Sequence, residues 1–109
     1  MSQGDSISPQ FVTVAKAGAI AINSGMAFVV GERLVAVFNL DGVYHAIDDL
    51  CPHMGASLAA GEIIDGTVSC PWHAWRFRVS DGTWCDNPRI KTEVFEVRVV
   101  GDEIQVAVK

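Results

Sequence analysis

The sequence has no long apolar run and no amino-terminal targeting pattern. No apolar segment approaches the roughly 20 residues that a transmembrane helix needs, and the opening residues contain no basic run followed by an apolar stretch. We therefore expect a protein that is neither exported by a signal peptide nor inserted in a membrane.

Basic residues are also scarce. Eight Lys and Arg residues stand against thirteen Asp and Glu residues, which gives a formal net charge of −5 at pH 7. This balance argues against nucleic acid and anionic membrane surfaces as partners, because both attract basic proteins. A basic protein partner remains open, and ordinary solubility would explain the acidity equally well.

Cysteine is sparse and odd in number. The three residues, Cys51, Cys70 and Cys85, cannot all pair within one chain. Two of them precede a histidine by two or three residues, a pattern that favours metal ligation in a reducing compartment over disulfides. We therefore predict a cytoplasmic protein.

The length and the hydrophobic pattern predict one all-β domain over residues 1–109, with residues 1–9 polar enough to fray. Asp-Gly or Gly-Asp pairs separate short segments rich in β-branched and aromatic residues, as in successive hairpins. The predicted early strands are Phe11–Val14, Met26–Val30, Arg33–Phe38 and Val43–Ile47. Residues 15–22 fit either a loop or a strand. In the last hairpin the predicted core-facing residues are Phe95, Val97, Val99, Ile104, Val106 and Val108.

Two short motifs carry the candidate metal ligands. Cys51-Pro52-His53 and Cys70-Pro71-Trp72-His73 each supply one thiolate and one imidazole, and each follows a predicted strand. Two loops at one end of a β-sandwich would bring these four side chains together. Structural zinc sites usually pair like ligands at other spacings, and a catalytic Cys-His pair would leave the second motif unexplained.

The spacing Cys-x-His, sixteen residues, Cys-x-x-His resembles the signature of Rieske iron–sulfur proteins. The likeness extends to Met54-Gly55-Ala56, Leu58, Gly61 and Trp75-Arg76-Phe77. The resemblance implies a Rieske-type antiparallel β-sandwich with a small cluster-binding subdomain formed by two loops. It also implies one [2Fe-2S] cluster per chain, with Cys51 and Cys70 on one iron and His53 and His73 on the other.

The resemblance further indicates a low reduction potential. High-potential members of the family carry a Ser and a Tyr hydroxyl near the second motif, where this sequence has Trp75 and Phe77. They also carry a disulfide, at positions that Ala56 and Trp72 occupy here. Hydrogen bonds to sulfur stabilise the more negative, reduced state, so their absence lowers the potential.

Other residues near the motifs receive simpler interpretations. With four ligands assigned, Cys85 is expected to be a small semi-buried hydrophobic residue, and His45 an ordinary strand residue. Gly55, Gly61 and Gly66 are attributed to turn geometry. Four acidic residues would form either an acidic collar that steers a basic partner or a solvated surface: Asp48, Asp49, Asp65 and Asp86.

Since four protein ligands leave no open metal position for a substrate, the resemblance implies a one-electron carrier that is not an enzyme by itself. The expected partners are a flavin reductase as donor and a terminal oxygenase as acceptor. The alternative is the small subunit of an NAD(P)H-dependent nitrite reductase, which would be bound to its large subunit. An oxygenase would need a second iron held by two histidines and a carboxylate, and only His45 remains unassigned.

Overall fold

The computed structural model describes residues 10–51, 56–71 and 75–108, and almost every element in them is a β-strand. His53 and His73 lie outside the described residues, as do the first nine residues. The strands are β1 (Phe11–Lys16), β2 (Ser24–Val30), β3 (Arg33–Leu40), β4 (Val43–Asp48), β5 (Ile63–Ile64), β6 (Thr67–Ser69), β7 (Arg76–Arg78), β8 (Thr83–Trp84), β9 (Asn87–Lys91), β10 (Val94–Val100) and β11 (Glu103–Ala107). One 3₁₀ turn, Leu58–Ala60, precedes β5. No helix in the described ranges is long and apolar enough to cross a membrane.

Two antiparallel sheets make up the fold. The larger has six strands in the order β1-β11-β10-β4-β3-β2, and the smaller has five in the order β5-β6-β7-β8-β9. Side chains from all six strands of the larger sheet meet in one hydrophobic core. The sheet is therefore strongly curved, because the edge strands of a flat sheet could not share a core.

The Asp-Gly pairs form the expected tight turns. Asp41 and Gly42 have φ values of 53° and 92° between β3 and β4, and Asp65 and Gly66 have 51° and 75° between β5 and β6. Positive φ at both central residues defines the type I′ turn, whose twist matches that of paired strands. These two hairpins confirm the prediction that Asp-Gly pairs mark turns between successive strands.

Strand β3 lies between two hydrophobic cores and contributes side chains to both. Val35 and Val37 point into the core of the larger sheet, whereas Ala36 and Phe38 point into a second core beneath the smaller sheet. All four side chains are fully buried. An unbroken apolar run is the pattern of a strand covered on both faces.

The second core lies between β3, β4 and the smaller sheet. Its buried members are Ala36, Phe38, Ile47, Cys51, Ala56, Leu58, Val68, Cys70, Phe77 and Val79. Both cysteines of the two motifs belong to it. The smaller sheet therefore forms the predicted subdomain. Cys70 follows its strand β6, whereas Cys51 lies between β4 of the larger sheet and the 3₁₀ turn that precedes β5.

Two predictions about packing need adjustment. Residues 15–22 are divided: β1 continues to Lys16, and the following loop inserts Ile20 into the core, where it is 1% exposed. Val99 was expected in the core but is 45% exposed. It pairs with the buried Ile104 on one side, but β4 pairs only with the first two residues of β10, so Val99 lies in the part of β10 that pairs with β11 alone.

Candidate metal centre

The first ligand loop begins at Cys51 and is closed by its own backbone. The Cys51 amide donates to the Ala56 carbonyl at 2.8 Å. Just outside this bond, Leu50 and Ser57 form an antiparallel bridge. The loop is therefore a six-residue hairpin loop on a β-bridge, with the cysteine at its start.

The second ligand loop repeats this construction. The Cys70 amide donates to the Trp75 carbonyl at 2.7 Å, and the flanking pair is Ser69 with Arg76, the last register of β6 and β7. Both loops thus have the same length, the same closing bond and a cysteine at the first position. The cysteine thiol therefore stands at the same position in each loop. We call the two loops, with the residues that flank them, the two ligand arms.

Both thiols are enclosed by apolar side chains. Cys51 and Cys70 are each 2% exposed and share the second core with Phe77 and Val68. Among the described residues, no group of three or more His, Cys, Asp and Glu side chains is placed to hold a metal ion. The described part of the candidate centre therefore consists of two buried cysteine thiols.

Cys85 is separate from this pair, and its predicted burial is wrong. The side chain is exposed, although its backbone N–H donates to the Arg76 carbonyl at 2.8 Å. It lies in the turn between β8 and β9, where the chain reverses at the edge of the smaller sheet. A turn residue at a sheet edge has no second layer to cover it.

Asp49 braces the first loop from beneath. Its side chain belongs to a residue only 3% exposed, and Oδ1 accepts hydrogen bonds from Ser57 Oγ and from the Ala59 amide, both at 2.9 Å. The Asp49 carbonyl also accepts from the Leu58 amide at 2.6 Å. Asp49 therefore ties the strand before Cys51 to the 3₁₀ turn after the loop, and it cannot belong to an exposed acidic collar.

Asp48 anchors the same segment from the other side. Its Oδ1 accepts from the Leu50 amide at 3.0 Å, and its Oδ2 accepts from Arg33 at 3.2 Å. Arg33 also pairs with Glu93, and this hydrogen bond is the main reason that the pKa of Arg33 is raised. Asp48 is therefore engaged with a cation of its own chain.

Gly61 joins the two ligand arms by close approach, so its attribution to turn geometry is wrong. Its φ is −81°, which any residue can adopt. A Cβ built at this position would lie 1.8 Å from the carbonyl oxygen of Ser69, the residue before Cys70. Only glycine allows the turn after the first loop to pack this closely against the strand that carries the second cysteine.

An aromatic group covers the side of the second loop. Trp75 stacks on Trp84 with ring centroids 3.7 Å apart and an interplanar angle of 11°, and Phe77 lies 6.3 Å from Trp75. Trp84 pairs directly with Phe77 across β7 and β8. Neither Trp75 nor Phe77 has a hydroxyl group, in contrast to the Ser and Tyr that high-potential members carry at these positions.

Sequence reasoning missed Trp84, because it lies nine residues after Trp75 and outside both motifs. Its indole Nε1 is the one buried side-chain nitrogen or oxygen in the described part of the chain that has no hydrogen-bond partner. A buried donor without an acceptor costs about 1–3 kcal/mol. The Asp81-Gly82 turn between Phe77 and Trp84 was the available sequence signal, because a hairpin there would bring the two residues onto neighbouring strands.

The family model for the Rieske [2Fe-2S] domain matches residues 10–107. This chain therefore belongs to the Rieske [2Fe-2S] domain family, whose members bind a [2Fe-2S] cluster and take part in electron transport. The buried, equivalent thiols of Cys51 and Cys70 fit that cofactor, because Rieske centres take two cysteine ligands. The resemblance inferred from the motifs is confirmed.

Three relatives show how widely this domain is used. The ferredoxin component of an alkene monooxygenase system from Xanthobacter autotrophicus is 32% identical over 80 residues, covering 72% of this chain and 66% of that protein. The ferredoxin of carbazole 1,9a-dioxygenase from Nocardioides aromaticivorans IC177 is 31% identical with a TM-score of 0.85, covering 91% of this chain and 98% of that one. A protein described as the NADH-dependent nitrite reductase small subunit of Mycobacterium tuberculosis is 28% identical with a TM-score of 0.87, covering 93% and 96%.

The match to some curated relatives is confined to part of them. Fifty-five residues are 40% identical to cholesterol 7-desaturase from Xenopus laevis, and they span 12% of that protein. The shared part is the Rieske domain, so the relatives' remaining chemistry does not transfer with it.

Proposed function

We propose that four side chains hold the cluster, with Cys51 and Cys70 on one iron and His53 and His73 on the other. The observation that carries this assignment is the equivalence of the two loops, each starting with a buried cysteine. Each loop contains one candidate histidine, two residues after Cys51 or three after Cys70. Two arms of the same construction would then each contribute one thiolate and one imidazole.

We propose that the chain works as a one-electron carrier. When bound, the cluster accepts and releases a single electron. The protein excludes water from the sulfur side with the apolar second core, and it braces the first loop through Asp49. Because β3 contributes side chains to both cores, we further propose that residues 1–109 form one domain.

The reduction potential is proposed to lie in the lower part of the Rieske range, which spans roughly −150 to +300 mV. The supporting observation is that Trp75 and Phe77, whose ring centroids lie 6.3 Å apart beside the second loop, have no hydroxyl group. Protein-film voltammetry of the purified holoprotein tests this proposal. A potential near or below about −100 mV is expected, and one well above 0 mV would refute it.

Within the cell, the proposed role is a cytoplasmic link between a flavin reductase and a terminal oxygenase. The ferredoxins of the alkene monooxygenase and carbazole dioxygenase systems support this role, since they cover most of the chain. The likeness to the nitrite reductase small subunit supports a second role, as a fixed subunit of an NAD(P)H-dependent nitrite reductase. The complete set of four candidate ligands favours the carrier, because many such subunits lack one or more of them.

Ligand substitution tests the centre itself. The holoprotein should contain two iron and two sulfide per chain, as a [2Fe-2S] cluster requires. Cys70→Ser and His73→Ala should lose the cluster or alter its EPR signal. Cys85→Ser and His45→Gln are the matched controls and should keep both, because neither is assigned as a ligand. Stoichiometric zinc in place of iron would end the assignment.

Partner capture tests the biological role. The holoprotein is immobilised and exposed to extract from its source cell, and the retained proteins are identified and then assayed for reduction or oxidation of the bait. An oxygenase together with a flavin reductase supports the carrier. A sirohaem-containing reductase refutes the carrier and supports the nitrite reductase subunit.

A further inference from the structure

Trp84 occupies a position directly behind the second ligand loop. Its ring lies parallel to Trp75 at 3.7 Å, and Trp75 is the residue whose carbonyl closes the loop of Cys70 at 2.7 Å. Trp84 packs against the core that contains both ligand cysteines. The indole is therefore fixed against the arm that holds one half of the centre.

The indole nitrogen of Trp84 lacks the hydrogen-bond partner that such a group normally finds. Nε1 is a donor only, and buried tryptophans usually place it against an acceptor. Here Nε1 is buried and has no hydrogen-bond acceptor among the residues that the structure describes. The other buried side-chain nitrogen and oxygen atoms among the described residues have partners, as Asn39 does through its bond to the Ile20 carbonyl at 2.8 Å.

Trp84 Nε1 lacks an acceptor in the described part of the chain, and the Rieske cluster of this chain would lack the hydroxyl donors of high-potential members. Trp75 and Phe77 have no hydroxyl group, so neither offers cluster sulfur the O–H donor found in high-potential members. Trp84 lies opposite Phe77 in the strand pair and so faces the same side of the sheet. Negatively charged sulfur bound in this core is an acceptor that an N–H donor favours.

We propose that the Trp84 indole N–H donates a hydrogen bond to a sulfide of the bound cluster. Trp84 is then a positioning and tuning residue for electron transfer. Because the reduced state carries more negative charge, the bond is stronger in that state and raises the potential. The residue partly offsets the absence of hydroxyl donors, and the inference rests on the proposed ligand set.

Pulsed EPR on selectively labelled protein tests the bond directly. The holoprotein is produced with ¹⁵N only in its tryptophan indoles and is then reduced, so histidine ligands appear as ¹⁴N. A weak ¹⁵N coupling to the reduced cluster is expected in the unsubstituted protein. It should disappear in Trp84→Phe, which keeps an aromatic ring but removes the N–H, and should persist in Trp75→Phe.

The reduction potential gives the second readout. Trp84→Phe and Trp84→Leu should both have a lower potential than the unsubstituted protein with iron content unchanged, since neither side chain has a hydrogen-bond donor. Absence of any indole coupling in the unsubstituted protein refutes the inference, and so does an unchanged potential in these variants. Loss of the coupling in Trp75→Phe and its retention in Trp84→Phe would also refute it.

The same spectra separate this inference from the proposed function. If directly bound histidine ¹⁴N is observed but indole ¹⁵N is not, the ligand assignment survives and the Trp84 bond is rejected. If no histidine coupling is observed, the ligand assignment itself fails. Should Trp84→Phe not assemble a cluster, Trp84→Leu and the unsubstituted spectrum still decide the question.

Discussion

Replacing Gly61 by alanine should separate the two ligand arms. The new Cβ would lie 1.8 Å from the Ser69 carbonyl oxygen, whereas an ordinary contact is about 3.4 Å or longer, so one segment must move by about 1.6 Å. The opposing atom is backbone, and the Ser69 amide is itself bonded to the Glu62 carbonyl at 2.9 Å. Neither segment can yield by a simple side-chain rotation.

The cost of this displacement follows from known overpacking substitutions. They destabilise proteins by about 1–3 kcal/mol and sometimes more, and a backbone clash of this depth belongs at the upper end. With a urea dependence of about 2 kcal/mol/M, a loss of about 3 kcal/mol lowers the unfolding midpoint by about 1.5 M. Because Ser69 precedes Cys70, we also expect a large fall in iron content per chain.

The matched control for Gly61→Ala is Gly101→Ala. Gly101 has a φ of +62° and open space around its Cβ position, so alanine there carries only the left-handed backbone cost of about 1–2 kcal/mol. Its iron content should equal that of the unsubstituted protein. A Gly61→Ala protein with full iron and an unchanged urea midpoint would show that the two arms do not depend on this contact.

Two further substitutions test the bracing of the smaller subdomain. Asp49→Ala leaves two donors without their acceptor and should cost about 2 kcal/mol in urea unfolding and speed iron loss to a chelator, whereas Asp102→Ala, at an exposed ion pair, should do neither. Thr83→Ala removes the hydroxyl whose bond to Asp81 is the main reason that the pKa of Asp81 is lowered from 3.8. Since a lowered carboxyl pKa stabilises the fold above the unfolded pKa, the destabilisation should be seen above about pH 4 and vanish as the pH falls through the folded value. An Asp81 pKa by NMR that does not rise in Thr83→Ala would contradict this.

Much of the strand and hairpin structure could be predicted because its signals are local. The hairpins at Asp41-Gly42 and Asp65-Gly66 follow from two adjacent residues that tolerate positive φ. The apolar run of β3 identified it as a strand, and the period of two placed Phe95, Ile104 and Val106 in the core. Such features depend on neighbours along the chain.

The features that were missed depend on distant neighbours. Gly61 has an ordinary φ, and only the approach of Ser69 shows why glycine stands there. Trp84 gains its meaning from stacking on Trp75, which requires the β7–β8 pairing. Cys85 was expected to be semi-buried from its residue type, but its place in an edge turn leaves it exposed.

The position of β3 between the two cores has a consequence for the protein without its cluster. Phe38 and Ala36 belong to the core that the smaller subdomain covers, so any loosening of that subdomain on loss of iron uncovers an apolar strip. Exposed strips of this kind promote aggregation. We therefore expect iron starvation to reduce the amount of this protein in solution, and not only the fraction that can carry an electron.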